Sequence, residues 1–256
     1  MPPSIPPSAP VVLVHGLCGF DRIFAGRRLL KEYFPGIRTH LESMGHRVLS
    51  PRISPTASVA VRAAELKLHL RQEVGSQPVH LIGHSLGGLD ARYMTTKLGM
   101  EDRVLSLTTI GTPHRGTTFA DWGMDRFARF LRPLFRSLGI PDDAFLDLMT
   151  DSCRRFNEDV PNVPGVGYYS VAGVCETPLL GAEWWFPHRI VSRAEGPNDG
   201  IVSRVSATWG EHTDVWVGDH LNLVNWPNRK AHRCGIQWDR AADYRNLVRR
   251  VAMLHV

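Results

Sequence analysis

Residues 78–90 read PVHLIGHSLGGLD and join a predicted strand to a predicted helix. The apolar run Val79–Gly83 predicts a buried strand, and apolar residues at helical spacing follow it directly. At the junction stands Gly83-His84-Ser85-Leu86-Gly87, a G-x-S-x-G motif. The motif needs a sharp turn between strand and helix, in which two glycines leave room for a strained serine. The stretch therefore predicts that Ser85 projects from the end of a strand as a nucleophile.

Further strands and helices surround this motif. Five other runs rich in Val, Ile and Leu predict strands: Val11–His15, Arg47–Ser50, Val104–Ile110, Val166–Ala172 and Thr213–Gly218. Helical patterns cover 24–41, 59–74, 89–98 and 239–251. Strands that alternate with helices predict an α/β fold, a mostly parallel sheet of about six strands with helices on both faces. Ligands bind at the carboxyl ends of the strands in such sheets, so we search for chemistry in the loops that follow strands.

Composition excludes several classes of protein. The chain has 256 residues, 43% of them apolar and 21% charged, which is typical of a globular protein and not of a disordered or coiled-coil one. No apolar run reaches the roughly 18–20 residues that span a bilayer. The net charge is +5, but the arginines are scattered without a nucleic-acid-binding motif, so we expect a basic surface and no nucleic-acid partner.

The N-terminus and the cysteines bear on the cellular compartment. Residues 1–10 contain five prolines and predict an extended tail before a single domain over 11–256. Neither the basic nor the apolar region of a signal peptide is visible there, so we expect a cytoplasmic protein, with secretion left open. The four cysteines lack zinc-site spacing and predict free thiols: Cys18, Cys153, Cys175 and Cys234.

The loop after the first strand is the expected source of an oxyanion hole. Such a hole needs two backbone N–H groups that converge on one point about 2.7–3.1 Å away. One belongs to the residue after the nucleophile, Leu86. The sequence His15-Gly16-Leu17 follows the first strand and predicts that Leu17 supplies the other.

A serine nucleophile needs a histidine base and a carboxylate, which follow it in the chain order serine, acid, histidine. His220 follows the last predicted strand and so lies at the catalytic edge of the sheet, whereas His212 lies at the opposite edge. Asp199 stands in Pro197-Asn198-Asp199-Gly200, a tight-turn sequence that can hold a carboxylate in place. Asp219 adjoins His220, and adjacent side chains seldom meet with good geometry. The other carboxylates of the region are Glu176, Glu183, Glu195, Glu211 and Asp214.

These motifs together resemble the bacterial true lipases of family I, within the α/β-hydrolase superfamily. The resemblance rests on VHGL at 14–17, GHSLGG at 83–88, TTIGTPHRG at 108–116, NDGIV at 198–202 and DHLN at 219–222. It covers nearly the whole chain from residue 11 and is weakest over 121–197. It implies an α/β-hydrolase fold and a triad of Ser85, Asp199 and His220, with Leu17 and Leu86 as oxyanion donors.

The sequence also departs from that family. It is shorter before Asp199 and lacks the cysteine that anchors the family's disulfide soon after the acid. Asn222 stands where those lipases have an aspartate that binds calcium. A hard cation prefers charged oxygen ligands, so we expect neither calcium nor any other metal or cofactor.

Two segments are expected to influence substrate choice. Residues 121–157 predict a small helical cap, with a helical stripe that either lines an acyl channel or belongs to the core: Phe127, Phe130, Leu131, Leu134, Phe135 and Leu138. Pro133 is expected to kink this helix, and a second helix is expected from Asp142, with Phe145 and Leu148 facing inward. Trp184 and Trp185 predict either a wall of the acyl pocket or plain packing. Phe127, Phe130, Leu134, Trp184 and Trp185 are thus the expected substrate contacts.

The sequence thus predicts a serine carboxylester hydrolase, an esterase or lipase that works through an acyl-enzyme. Two alternatives stay open: a non-catalytic member of the fold that binds a hydrophobic ligand or partner, and an acyltransferase. The expected partners are an ester or lipid substrate and, transiently, a lipid surface. No stable protein partner is expected.

Overall fold

The computed structural model describes residues 9–20, 22–25, 28–126 and 143–253. Its strands are β1 (Val11–Val14), β2 (Arg22–Ala25), β3 (Arg28–Glu32), β4 (Val48–Leu49), β5 (Val79–His84), β6 (Val104–Ile110), β7 (Gly167–Val174) and β8 (His212–Val217). Six of them form one sheet in the order β4-β1-β5-β6-β7-β8, and every neighbouring pair is parallel. The prediction of a mostly parallel sheet of about six strands is confirmed. The predicted strand ends agree with the observed ones to within about two residues.

Helices cover both faces of this sheet. They are α1 (Ile37–Ser43), α2 (Val59–Val74), α3 (Leu86–Lys97), α4 (118 to at least 126), α5 (Asp143–Asp147), α6 (Thr150–Asp159), α7 (Trp185–Ala194), α8 (Arg204–Ala207), α9 (Arg229–Arg233) and α10 (Arg240–Met253). Apolar residues of α2 and α3 pack on one face, and those of α1 and α10 on the other. The apolar stripe predicted for α2 is buried throughout: Val59, Ala63, Leu66, Leu70 and Val74. The predicted two-faced layering is therefore confirmed.

The helix predicted over 24–41 is wrong in its first part. Strands β2 and β3 pair as an antiparallel hairpin there, and α1 begins only at Ile37. Pro35 and Gly36 precede that helix, and Gly36 adopts a left-handed backbone with φ of 73°. A proline inside a helix loses a backbone hydrogen bond and clashes with the preceding turn. The apolar spacing thus combined residues of a hairpin with residues of a helix.

The segment expected to form the cap is described only in part. Phe127, Phe130 and Leu134 fall in 127–142, outside the described residues. The helix expected from Asp142 forms two helices, α5 and α6, with a break between them. Leu148 is buried as expected, but Phe145 is 36% exposed, which corrects the expectation that it faces inward. The break resets the helical phase, so one stripe does not continue through both helices.

Two further expectations concern the cysteines and membranes. All four cysteines carry free thiols, as predicted. In the described ranges, every helix is too short or too polar to cross a bilayer.

Candidate active site

Ser85 occupies a strained turn between β5 and α3. Its φ of 55° and ψ of −127° lie where residues with a side chain are seldom found. Such a conformation costs about 1–3 kcal/mol and persists only when its surroundings enforce it. Here the Ser85 N–H donates to the carbonyl of Ile110 at 2.9 Å, and the Ser85 carbonyl accepts from the N–H of Gly88 at 3.1 Å. These two bonds hold the hydroxyl above the carboxyl end of the sheet.

The glycines on either side of this turn are required by close backbone contacts. A Cβ on Gly83 would lie 2.7 Å from the carbonyl oxygen of Gly87, and one on Gly87 would lie 2.5 Å from that of Val14. Both atoms belong to the backbone of the sheet and helix, which cannot move aside cheaply. The two glycines of the motif therefore allow β5, α3 and β1 to approach one another.

Asp199 and His220 meet at the same edge of the sheet. The Nδ1–H of His220 donates to Oδ2 of Asp199 at 2.7 Å, and the His220 backbone N–H donates to the Asp199 carbonyl at 2.8 Å. The other carboxylate oxygen, Oδ1, accepts the N–H groups of Ile201 and Val202 at 3.1 and 2.8 Å. The turn expected from its sequence thus holds a carboxylate that is fully buried. Because Nδ1 carries the proton, Nε2 of His220 is the basic nitrogen.

The rival carboxylates bind elsewhere. Asp219 accepts the backbone N–H groups of Gly181 at 3.3 Å and Asn222 at 3.0 Å. Burial raises the pKa of Asp219, and the Asn222 N–H bond opposes that shift. Glu195 accepts the N–H of Thr118 at 2.8 Å. Asp199 is thus the carboxylate that contacts the imidazole.

The backbone donors expected for the oxyanion hole lie beside Ser85. Leu86 is the first residue of α3, so its N–H has no acceptor within that helix. In the loop after β1, Cys18 donates its N–H to the carbonyl of Pro55 at 2.8 Å, and Gly19 donates to that of Gly16 at 3.2 Å. Within the described residues these bonds leave the Leu17 N–H without a backbone acceptor. Both N–H groups are therefore available to a ligand.

Arg62 supports this loop, and the sequence reasoning missed it. Its fully buried guanidinium donates to the carbonyl of His15 at 2.7 Å and to Oδ2 of Asp90 at 2.8 Å. Burial raises the pKa of Asp90 to about 7, against the opposing charge of Arg62. A buried ion pair loses hydration, which only good geometry and further hydrogen bonds offset. One feature of the sequence could have indicated that Arg62 is buried: it lies three residues after Val59, on the apolar stripe of α2.

A cavity of about 280 Å³ opens beside Ser85 and His220. Most of its remaining lining is apolar: Leu17, Cys18, Phe20, Tyr33, Pro113, Thr117, Leu148, Trp184, Ile201, Val202, Leu221 and Trp226. Trp184 belongs to this wall, and its ring stands edge-on to the His220 ring at 5.7 Å between centroids. Trp185 lies outside the cavity, 51% exposed and next to Arg189. The aromatic residues Phe20, Tyr33 and Trp226 were missed because each comes from a different loop or strand end.

The residues after His220 do not fit a calcium ion. The Nδ2 of Asn222 donates to the carbonyl of Trp226 at 2.6 Å, and its Oδ1, a neutral oxygen, is buried without a hydrogen-bond partner among the described residues. The guanidinium of Arg240 donates to the Asn222 carbonyl at 3.1 Å, and its positive charge opposes a cation there. Across the described ranges, no three His, Cys, Asp or Glu side chains group as metal ligands do.

Comparison with known proteins assigns the chain to a family. The sequence matches the alpha/beta hydrolase family over residues 11–255. The chain belongs to this family. Triacylglycerol lipase 2 of Saccharomyces cerevisiae is 33% identical, over 88% of this chain and 82% of its own. A triacylglycerol lipase of Pseudarthrobacter phenanthrenivorans is 41% identical, over 84% and 88% of the two chains.

A solved structure extends the likeness to the whole fold. The Staphylococcus hyicus lipase superposes on this alpha/beta hydrolase with a TM-score of 0.76, over 99% of this chain and 98% of its own, at 18% identity. That likeness concerns the fold alone. The prediction of an esterase- or lipase-like hydrolase is confirmed by the sequence relatives.

Proposed function

We propose that this alpha/beta hydrolase cleaves acyl esters, triacylglycerols among them, through Ser85, His220 and Asp199. The observation that carries the proposal is the 2.7 Å bond between buried Asp199 and His220, on a cavity that Ser85 also lines. That bond sets the histidine tautomer that a serine nucleophile needs.

The proposed reaction proceeds in two halves. The Oγ of Ser85 attacks the ester carbonyl while Nε2 of His220 takes the hydroxyl proton. The N–H groups of Leu17 and Leu86 stabilise the negative charge on the carbonyl oxygen. The proton then passes from His220 to the departing alcohol, which leaves an acyl-enzyme. Water attacks the acyl-enzyme, gives its proton to His220, and releases the acid as the proton returns to Ser85.

The cavity wall favours an apolar acyl group. It combines aromatic side chains, among them Phe20 and Trp226, with aliphatic ones, among them Leu148 and Ile201. Burying a methylene group in such a wall stabilises the complex by about 0.8 kcal/mol. Triacylglycerol is the substrate in the names of the two sequence relatives, and its fatty acyl chains have this chemistry.

A lipid surface is the proposed transient partner. Trp185 and Phe186 are 51% and 46% exposed, and the Phe186 ring packs on that of Trp122 at 4.9 Å between centroids. Arg189 lies beside the Trp185 ring and adds a positive charge. Aromatic residues next to a cation suit the boundary between apolar lipid and headgroups.

A serine-directed fluorophosphonate probe tests the reaction. We expect the probe to label the intact protein and the Ser85→Ala variant to remain unlabelled. Turnover of p-nitrophenyl butyrate in that variant should fall on the order of 10⁴–10⁶-fold. Its melting temperature should not fall, because alanine adds no strain to the backbone at position 85. Ser170→Ala is the matched control, since Ser170 is also buried but bonds Thr213 at 2.8 Å and does not line the cavity. Turnover within about tenfold of the parent in Ser85→Ala would contradict the proposal.

A further inference from the structure

His84, the residue before Ser85, links the nucleophile turn to the base. Its ring is fully buried and makes two hydrogen bonds. Nδ1 pairs with the hydroxyl of Tyr33 at 2.8 Å, and Nε2 pairs with the backbone carbonyl of His220 at 3.1 Å. Neither His84 nor Tyr33 has a place in the reaction described above.

The direction of both bonds follows from their partners. A backbone carbonyl can only accept, so Nε2 of His84 carries the proton and donates to His220. A neutral imidazole with a protonated Nε2 has a free pair on Nδ1, which accepts the Tyr33 hydroxyl proton. Burial raises the pKa of Tyr33, so its hydroxyl stays protonated and donates. Burial, with the charge of His220, holds the pKa of His84 well below its usual range, so this ring stays neutral.

The bond from His84 completes the anchoring of His220. The His220 N–H donates to the Asp199 carbonyl, its Nδ1–H donates to the Asp199 carboxylate, and its carbonyl accepts from His84. Within the described residues, Nε2 is the polar atom of His220 that no protein group binds. The main chain and the ring of His220 are therefore each tied down, and the basic nitrogen is left for Ser85.

The Tyr33 hydroxyl also lies close to the rest of the site. A Cβ on Gly16 would come within 2.9 Å of the Tyr33 hydroxyl and 2.8 Å of the Ser85 Cβ. The Tyr33 hydroxyl therefore lies against the oxyanion loop, on the cavity that Ser85 also lines, while it orients the His84 ring.

We propose that His84 and Tyr33 are positioning residues that fix the main chain of His220 opposite Ser85. The inference rests on the proposed function. The neutral state of His84 matters as well as its bond, because the His84 and His220 rings lie 4.5 Å apart between centroids. His220 becomes positively charged during the reaction, and a second cation at that distance would oppose it.

Two substitutions of His84 test the role of the bond. His84→Leu keeps the volume of the side chain but removes the donor, whereas His84→Gln keeps an N–H that can reach the His220 carbonyl. With p-nitrophenyl butyrate, we expect kcat of the Leu variant to fall by about 10²-fold while KM changes less than about threefold, because misplacement affects the transition state. We expect the Gln variant to keep kcat within about fivefold of the parent. A merely structural role would not separate the two variants in kcat at equal melting temperature.

Tyr33→Phe provides a second, independent measurement. It removes only the hydroxyl, so the His84 ring loses the donor that fixes its tautomer. We expect a loss of about fivefold to tenfold in kcat in the parent background and no further loss in the His84→Leu background, because the two residues act in one chain. In the parent background this variant keeps the packing intact, so its loss in kcat decides the question by itself if His84→Leu does not fold. A kcat within about twofold of the parent there would overturn the inference.

His80→Leu is the matched control. His80 lies in the same strand, is buried, and bonds Ser106 at 2.8 Å, away from the cavity. We expect kcat within about twofold of the parent in this variant. Equal kcat in the Leu and Gln variants of His84, or additive losses with Tyr33→Phe, would overturn the inference. Fluorophosphonate labelling of the parent protein separates this failure from that of the proposed function, since an unlabelled parent rejects the function itself.

Discussion

Replacing Asp199 by asparagine tests the site most directly, because the structure predicts the orientation of the new amide. Oδ1 of Asp199 accepts two backbone N–H groups, from Ile201 and Val202. The oxygen of the introduced amide must take that position, since an NH₂ group there would face two donors. The NH₂ group then faces Nδ1 of His220, which must become an acceptor.

The magnitude follows from the tautomer that this orientation enforces. With Nδ1 unprotonated, the proton of the neutral His220 ring sits on Nε2, which then cannot take the proton of Ser85. The side chain also no longer carries the negative charge that stabilises the imidazolium. We expect kcat to fall by about 10⁴-fold, which corresponds to about 5 kcal/mol of transition-state stabilisation.

The assay is the kcat for p-nitrophenyl butyrate, with melting temperature measured in parallel. Asp219→Asn is the matched control, because Asp219 is also buried and adjoins His220 but accepts N–H groups from Gly181 and Asn222. We expect the control to lose less than about tenfold in kcat. A mild effect of Asp199→Asn, together with a severe one in Asp219, Glu176 or Glu195, would show that the acid was misassigned.

The remaining predictions concern metal dependence, pH and the two indoles. Chelation should leave melting temperature and ester turnover unchanged, because Asn222 offers a cation only a neutral amide oxygen and the positive guanidinium of Arg240 binds the same loop. Burial lowers the pKa of His15 to about 4 from 6.5, so the unfolded chain takes up a proton first as the pH falls. The contribution of a neutral His15 to the free energy of unfolding is therefore complete above pH 6.5 and decreases towards pH 4. We expect a decrease of about 2 kcal/mol by pH 5, measured by urea unfolding. Trp185→Ala should slow hydrolysis of emulsified triolein but not of dissolved butyrate ester, whereas Trp184→Ala should change the chain-length preference among dissolved esters.

Each of these has a result that would count against it. A melting temperature that chelation lowers and calcium alone restores would show that the loop after His220 does bind calcium. A free energy of unfolding that is flat between pH 7 and pH 5 would reject the neutral state of His15. An equal effect of Trp184→Ala and Trp185→Ala on every ester would mean that the two indoles do not differ in role.

Local pattern was enough to predict the elements that carry Ser85. The strand before it and the helix after it differ in hydrophobic period, and a motif with two glycines marks the turn. The turn sequence around Asp199 was equally local, because its carboxylate binds N–H groups only two and three residues on. The hairpin of β2 and β3 was not predictable in this way, since its apolar residues match a helical spacing by coincidence.

Hydrophobic periodicity and the G-x-S-x-G motif were enough to predict the parallel sheet and the nucleophile turn, and the order of the motifs made Asp199 and His220 the candidate partners of Ser85. Periodicity and glycine geometry act over a few residues, so the strands, the helices and the turn can be predicted from the chain alone. The folded chain was needed to show that the carboxylate of Asp199 contacts the imidazole and which side chains surround it. The bond between His220 and Asp199 joins residues 21 apart, that between Tyr33 and His84 joins residues 51 apart, and that between His84 and His220 joins residues 136 apart. Contacts at such separations depend on how the loops at the carboxyl edge of the sheet fold back on one another, and no local pattern encodes that.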